Sequence, residues 1–286
     1  MNGNNFSQVR ANGNEIVRIR YNGFTLWEKY ILKIRIDTTR GEGAMGGEEL
    51  IQFVLSKWFN EDFNYMLVKE NYEETSTTLK VDLTIYSDEE PTMINLAGAG
   101  FNRPVYNLLN IYNCKNVSKL SLAYLKNTEL DIRHLRLDNI TDLSALFANC
   151  SLESINVSGW DTSKVTSMLS MFSSCTGLTS IDLSTWDTSS VTNTMLMFQN
   201  CTSLVSADLR NFDLSNCTNS MMMFMGCTSL TELRLDNCSN DTINKIITSS
   251  GFPTGTIEGV TRTIYCKEAN AAGLTAPDGW VFEYVE

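Results

Sequence analysis

Eight cysteines are the first residues of this 286-residue chain whose types could do chemistry. Thiolates bind zinc or close disulfides, and both uses leave a mark in the spacing. No C-x-x-C pair occurs and His134 is the only histidine, so zinc-site spacing is absent. Cys114, Cys150, Cys175, Cys201 and Cys227 share one repeated position, which points to buried thiols serving as small apolar side chains. Asp161, Asp187 and Asp213 recur at a step of 26 and would stack as neighbouring carboxylates. A calcium ladder uses such oxygens, but the next position is Ser239 and no glycine-rich calcium repeat is present. Turn capping is therefore the reading taken for these carboxylates. Gly41, Gly43 and Gly46 stand in G-x-G-x-x-G order within "GEGAMGG", the pattern of a loop that holds a pyrophosphate at a helix N-terminus. However, "DTTR" separates the preceding strand from the first glycine, and one crossover is too little for a doubly wound sheet. The loop is read as a flexible connection, with a nucleotide-binding enzyme as the remote alternative. A single histidine excludes most triad chemistry, and no paired acids sit at a glycosidase motif. The chain is expected to be no enzyme and to carry no cofactor and no metal.

The elements that position these residues come from repetition. Cys150, Cys175, Cys201 and Cys227 are separated by 25, 26 and 26 residues, and Phe147, Phe172, Phe198 and Phe224 keep the same steps. Trp160, Trp186 and Phe212 recur, as do Leu178, Leu204 and Leu230 and the pairs Ile181/Leu183, Ala207/Leu209 and Leu233/Leu235. Cys114, Val117, Leu120 and Leu122 show the offsets of Cys175, Leu178, Ile181 and Leu183. A fixed period of this length marks a solenoid, in which no unit buries its apolar side alone and copies must stack. "LTSIDLS" alternates as a short strand with Ile181 and Leu183 facing in, so stacked copies form a parallel sheet. "MLMFQNC" places Met195 and Phe198 at i, i+3, which predicts a short helical or 3₁₀ turn on the other side. "WDTSSVT" joins the two, with Trp186 and Val191 pointing inward.

The pattern C-x-x-L-x-x-I/L-x-L-S-x-W-D-T-S-x-V-T-x-M-x-x-M-F resembles the 26-residue leucine-rich repeat of BspA-like surface proteins, also seen in mycoplasma lipoproteins. Residues 143–224 carry it strongly, and 105–142 and 225–250 weakly. The 36 residues from Cys114 to Cys150 imply an irregular coil, with Leu135 and Leu137 available for a strand. After Cys238 the Met-Phe pair is lost, and "TRTIYCKEANAAGLTAPDGWVFEYVE" reads as a C-terminal β cap, with Ile264 on one strand and Trp280 and Phe282 on the last. The resemblance implies adhesion or recognition at a surface.

The first hundred residues differ. Two alternating runs flank Asn22-Gly23, a type I′ hairpin turn. "YILKIRID" and "TLKVDLTIYS" read as strands, and Leu50, Ile51, Val54, Leu55 and Trp58 form one helical stripe. The organisation expected is a small α+β docking domain over 1–95, or a β-sandwich with one helical crossover. A leucine-rich-repeat solenoid over 96–250 and the cap over 251–286 follow. The opening hairpin also resembles the "NGxEIxxIxxNGxxLWE" leaders found at the start of phage virion proteins.

Charge bears on partners. The net charge of −11 argues against nucleic acid, which needs a basic face. Yet the first 40 residues hold seven Lys/Arg against three Asp/Glu, and Arg10, Arg18, Arg20, Lys33 and Arg35 form a candidate docking face for an acidic partner. No apolar run is long enough for a membrane span, and the start has no cationic or apolar region of a signal peptide. On the solenoid, outward strand positions read Asn156, Asp182, Asp208 and Arg234, followed two residues later by Ser158, Ser184, Arg210 and Asp236. They change type while the core positions stay fixed, which makes them a candidate partner-binding surface. The expected role is a non-enzymatic structural or recognition component of a tailed-phage particle, in its head or tail, assembled in the host cytoplasm. Its expected partners are other virion proteins or a host receptor of protein or glycan, with a homo-oligomer compatible. The alternative is a bacterial adhesin, at the cell surface or secreted.

Overall fold

The computed structural model describes residues 117–132, 135, 137 and 139–286, and before them the strands within residues 7–111 as backbone. The chain forms two compact units, Met1–Val117 and Ser118–Glu286.

In the first unit, β1 (Ser7–Val9), β2 (Arg18–Tyr21) and β3 (Phe24–Trp27) form an antiparallel sheet. Tyr21 pairs with Phe24, and the expected turn residues Asn22 and Gly23 between them lie outside the described residues. A second antiparallel sheet has the order β5-β6-β4-β8, from β4 (Lys29–Thr39), β5 (Met66–Glu74), β6 (Thr78–Ser87) and β8 (Tyr106–Ile111). β7 spans Met93–Asn95. The expected strands "YILKIRID" and "TLKVDLTIYS" are thus β4 and β6. A boundary at 95/96 leaves β8 outside the first domain, whereas β8 pairs with β4 inside the first compact unit. The helical stripe from Leu50 to Trp58 and the glycines Gly41, Gly43 and Gly46 lie outside the described residues.

The second unit is a stack of coils. Each contributes a three-residue strand: β9 (Lys119–Ser121), β10 (Glu129–Asp131), β11 (Ser154–Asn156), β12 (Ser180–Asp182), β13 (Ser206–Asp208) and β14 (Glu232–Arg234). β10 pairs with β11, and β12, β13 and β14 pair in sequence, all parallel and in register with the repeat: Ile181 with Ala207, and Ala207 with Leu233. These inward positions are buried, as expected. Phe147, Phe172, Phe198 and Phe224 stack face to face with centroids 5.4, 5.5 and 5.1 Å apart, and Trp160 lies on Trp186 at 5.9 Å. In the irregular coil the strand is β10 around Leu130; Leu135 and Leu137 are buried but belong to no strand.

The helical or 3₁₀ turn expected of "MLMFQNC" is not formed. Residues Met168, Ser170, Phe172 and Ser174 donate their amides to Asn193, Met195, Met197 and Gln199 of the next coil, while Met171, Ser173 and Cys175 donate back three residues. A helix would spend every amide within its own coil; here alternate amides build a second parallel ladder instead. The path requires left-handed residues, Ala145, Ser170, Leu196 and Met222, with φ of 54–61°. The reversal before each aromatic turns two consecutive side chains inward, so Met197 joins Phe198 in the core and Met195 is only half-buried.

Beyond Cys238 the second ladder gives way to helix α1 (Asn240–Ile247). Ser239 follows the Asp161, Asp187 and Asp213 file and keeps its capping task, accepting the amide of Thr242 at 3.2 Å as the helix N-cap. Ile243, Ile246 and Ile247, at helical spacing, fill the core. The sheet continues in parallel through β15 (Arg262–Cys266) and β16 (Trp280–Tyr284), with the one-turn helix α2 (Glu268–Ala271) between them. Ile264 and Trp280 are buried and Phe282 is partly covered. Among the described residues no helix is long and apolar enough to cross a membrane.

Candidate recognition surface

The solenoid positions its outward residues by fixing its inward ones. Asp182, Asp208 and Arg234 end their strands in mutual register, and Tyr265 of β15 continues the file. Neighbours along it are therefore about 4.8 Å apart. Two residues on, the chain turns, and the same side chains cap it. Asn156 Oδ1 accepts the Ser158 amide at 3.2 Å, Asp182 Oδ1 that of Ser184 at 2.9 Å, and Asp208 Oδ1 that of Arg210 at 3.2 Å. The candidate residues thus have a structural duty beside any binding one.

Charge is paired on the two later coils of this surface, beside Asp182, which stands next to Asp208. Arg210 grips the Asp208 carboxylate, with Nε at 2.9 Å from Oδ1 and 3.0 Å from Oδ2 and with Nη2 on Oδ2. Arg234 Nη2 reaches Asp236 Oδ2 at 2.6 Å, and its guanidinium lies 5.1 Å from the Tyr265 ring centroid. The order is Asp-then-Arg on one strand and Arg-then-Asp on the next, so opposite charges face each other both along and across strands. The bond to Asp208 raises the Arg210 pKa, with smaller contributions from Asp236 and Asp182, and the bond to Asp236 raises that of Arg234. Such a pattern presents alternating charge rather than a field of one sign, which favours partners that match it point by point. Tyr265 is the surface residue that the repeat hides, because it follows Arg234 by 31 residues rather than 26.

The Asp161, Asp187 and Asp213 file caps turns. Their Oδ1 atoms accept the amides of Ser163, Ser189 and Ser215 at 3.1, 3.0 and 2.9 Å. The hydroxyl and amide of Ser189 hold the Asp187 carboxyl below its ordinary pKa. Among the described residues no group of His, Cys, Asp and Glu is arranged to hold a metal.

The thiols are core groups with a directional bond. Cys175, Cys201 and Cys227 are buried and unbridged, and each donates its S–H to the preceding coil's Phe147, Phe172 or Phe198 carbonyl, at 3.0, 3.1 and 3.0 Å. Cys150 does the same to Leu122 at 3.2 Å. Cys238 occupies the tryptophan file: its S–H reaches Leu209 as the indoles of Trp160 and Trp186 reach Ile132 and Val157. Cys114 and His134 lie outside the described residues. Burial pushes the Cys150 and Cys266 thiols up and Cys238 to about 12, and the neighbouring Cys227 thiol together with burial does so for Cys201. The unfolded chain, with thiols near 9.0, then sheds protons first as pH rises. Stability from these groups is fully present below about pH 9 and is lost as pH climbs towards 12. Thermal melts across that range should show the decline, and native protein should resist iodoacetamide that labels the urea-unfolded chain. Rapid native labelling would contradict the buried file.

Of the basic docking residues, Arg18 and Arg20 lie on β2, and Lys33 and Arg35 lie on β4. These strands belong to different sheets of the first unit. Arg10 lies outside the described residues.

Residues 115–237 match the family described as a Mycoplasma protein of unknown function, DUF285. No curated protein and no solved structure matches the chain. The matched stretch runs from just before β9 to just after β14, the coils that carry the candidate surface.

Proposed function

We propose that this protein is a non-enzymatic recognition protein of a tailed-phage particle. Its first compact unit, Met1–Val117, docks it to other virion proteins, the coils that follow up to residue 250 present the sheet surface to a host receptor, and residues 251–286 cap the stack. The observation that carries the recognition reading is the contrast between files. Inward positions repeat as Phe, Cys and Leu, while the outward files run Asn156-Asp182-Asp208-Arg234 and Ser158-Ser184-Arg210-Asp236, changing type and charge along the stack. A rigid backbone with changeable outward side chains suits selective contact with a protein or glycan. The virion assignment is supported by the resemblance of the opening hairpin to virion-protein leaders, and the β2–β3 pairing fits it.

The second reading is a bacterial surface adhesin, favoured by the similarity of residues 115–237 to the Mycoplasma family. Mass spectrometry of gradient-purified phage particles and of host envelopes separates the two. Intact chain is expected in the particles. Its absence there with presence in envelopes would replace the first reading by the second. Absence from both would sink both.

A further inference from the structure

We propose that β16 is a dimerisation edge, pairing antiparallel with β16 of a second copy of this chain. The inference does not rest on the function proposed above. Among the described residues, β16 ends the five-stranded sheet, bonded to β15 on one side and to no strand on the other. At five residues, β15 and β16 are the longest strands of that sheet. Val281 and Tyr284 are two of the five exposed large apolar side chains among the described residues. β16 has no proline, no lysine and no bulge to protect it as an edge, and Glu283 is its one charged residue.

Hydrogen-bond parity says which atoms are open. The amide of Val285 donates to Cys266 at 3.0 Å, and in a parallel strand residues alternate between the two sides. Val281, Glu283 and Val285 therefore bond towards β15, and the main chains of Trp280, Phe282 and Tyr284 point to the open edge. The Trp280 amide is already taken by Pro277 at 2.9 Å. A two-fold axis at Phe282 uses this set without conflict. Phe282 meets its own copy as a hydrogen-bonded pair, and the Tyr284 amide donates to the Trp280 carbonyl of the second copy.

The side chains agree with this register. Val281 falls opposite Glu283 of the second copy in a non-hydrogen-bonded pair, where side chains are closest. The only charged residue of the strand therefore never faces its own copy. An isologous contact of this kind closes at two copies. A strand from an unrelated protein could add to the same edge, and the measurements below separate the two.

Sedimentation velocity of the 286-residue chain should show a reversible dimer. Tyr284→Pro removes an edge-facing amide that the fold does not use, so dissociation should become at least about tenfold easier while the thermal midpoint holds. Val281→Glu sets carboxylate against Glu283 twice per dimer and should weaken it about tenfold, whereas Val281→Lys should keep or tighten it. A wild-type chain that is monomeric at about 100 µM overturns the proposal. So does a dimer indifferent to Tyr284→Pro, or one in which the two Val281 variants behave alike.

Discussion

Phe198→Ala is expected to lower the unfolding free energy by about 3–5 kcal/mol, the range for truncating a large buried aromatic. Phe198 is fully buried, with Phe172 and Phe224 at 5.5 and 5.1 Å on its two faces. Its removal opens a void that both neighbouring coils line. The main chain there is held by alternating bonds to the next coil and to its own turn, so it has little freedom to collapse into that void. In a solenoid, each coil is stabilised mainly by its neighbours, and a weakened interface lets the array melt from that point. Urea denaturation measures the loss as a shift of midpoint. A loss under about 1 kcal/mol would mean that the aromatic file is not a packed core. Met195→Ala is the control, and its half-exposed side chain should cost no more than about 1 kcal/mol.

Gly279→Ala should cost about 3 kcal/mol, from left-handed strain together with overlap against a main chain that cannot move aside. Gly279 has φ of +81°, and a Cβ there would strike the Gly255 carbonyl. The approach is fixed from both sides: the Gly255 amide donates to Asp278 at 2.9 Å, and the Trp280 indole to Pro253 at 2.6 Å. The substitution would push β16 off β15, so hydrogen exchange should speed up first at residues 280–285. Gly273 provides the comparison. Its φ is +76° but nothing lies within 4 Å of an added Cβ, so Gly273→Ala should cost only the dihedral strain of about 1 kcal/mol. Equal losses at both glycines would refute the close approach.

Much of the second unit was legible because stacking converts sequence period into spatial register. Ile181, Ala207 and Leu233 are neighbours at steps of 26, and a step of 26 is visible in the chain. The same logic placed the phenylalanine, thiol and tryptophan files. The Met195/Phe198 spacing misled because i, i+3 spacing fits a helix and a ladder of left-handed turns equally well. What separates them is where alternate amides find acceptors, and those acceptors belong to another coil. The candidate surface was legible as positions, but not as the ion pairs Arg210–Asp208 and Arg234–Asp236 that two of its coils close internally.

The order of residues alone determined the period, the inward side chains of the strands and the capping role of Asp161, Asp187 and Asp213. Each follows from local chemistry repeated at constant spacing. Only the tertiary structure decided the second hydrogen-bonded ladder, the Arg210–Asp208 and Arg234–Asp236 pairing, the meeting of Gly255 with Gly279 and the open edge of β16. The directions of these side chains and amides are set once neighbouring coils and strands are in place, and a period does not encode direction.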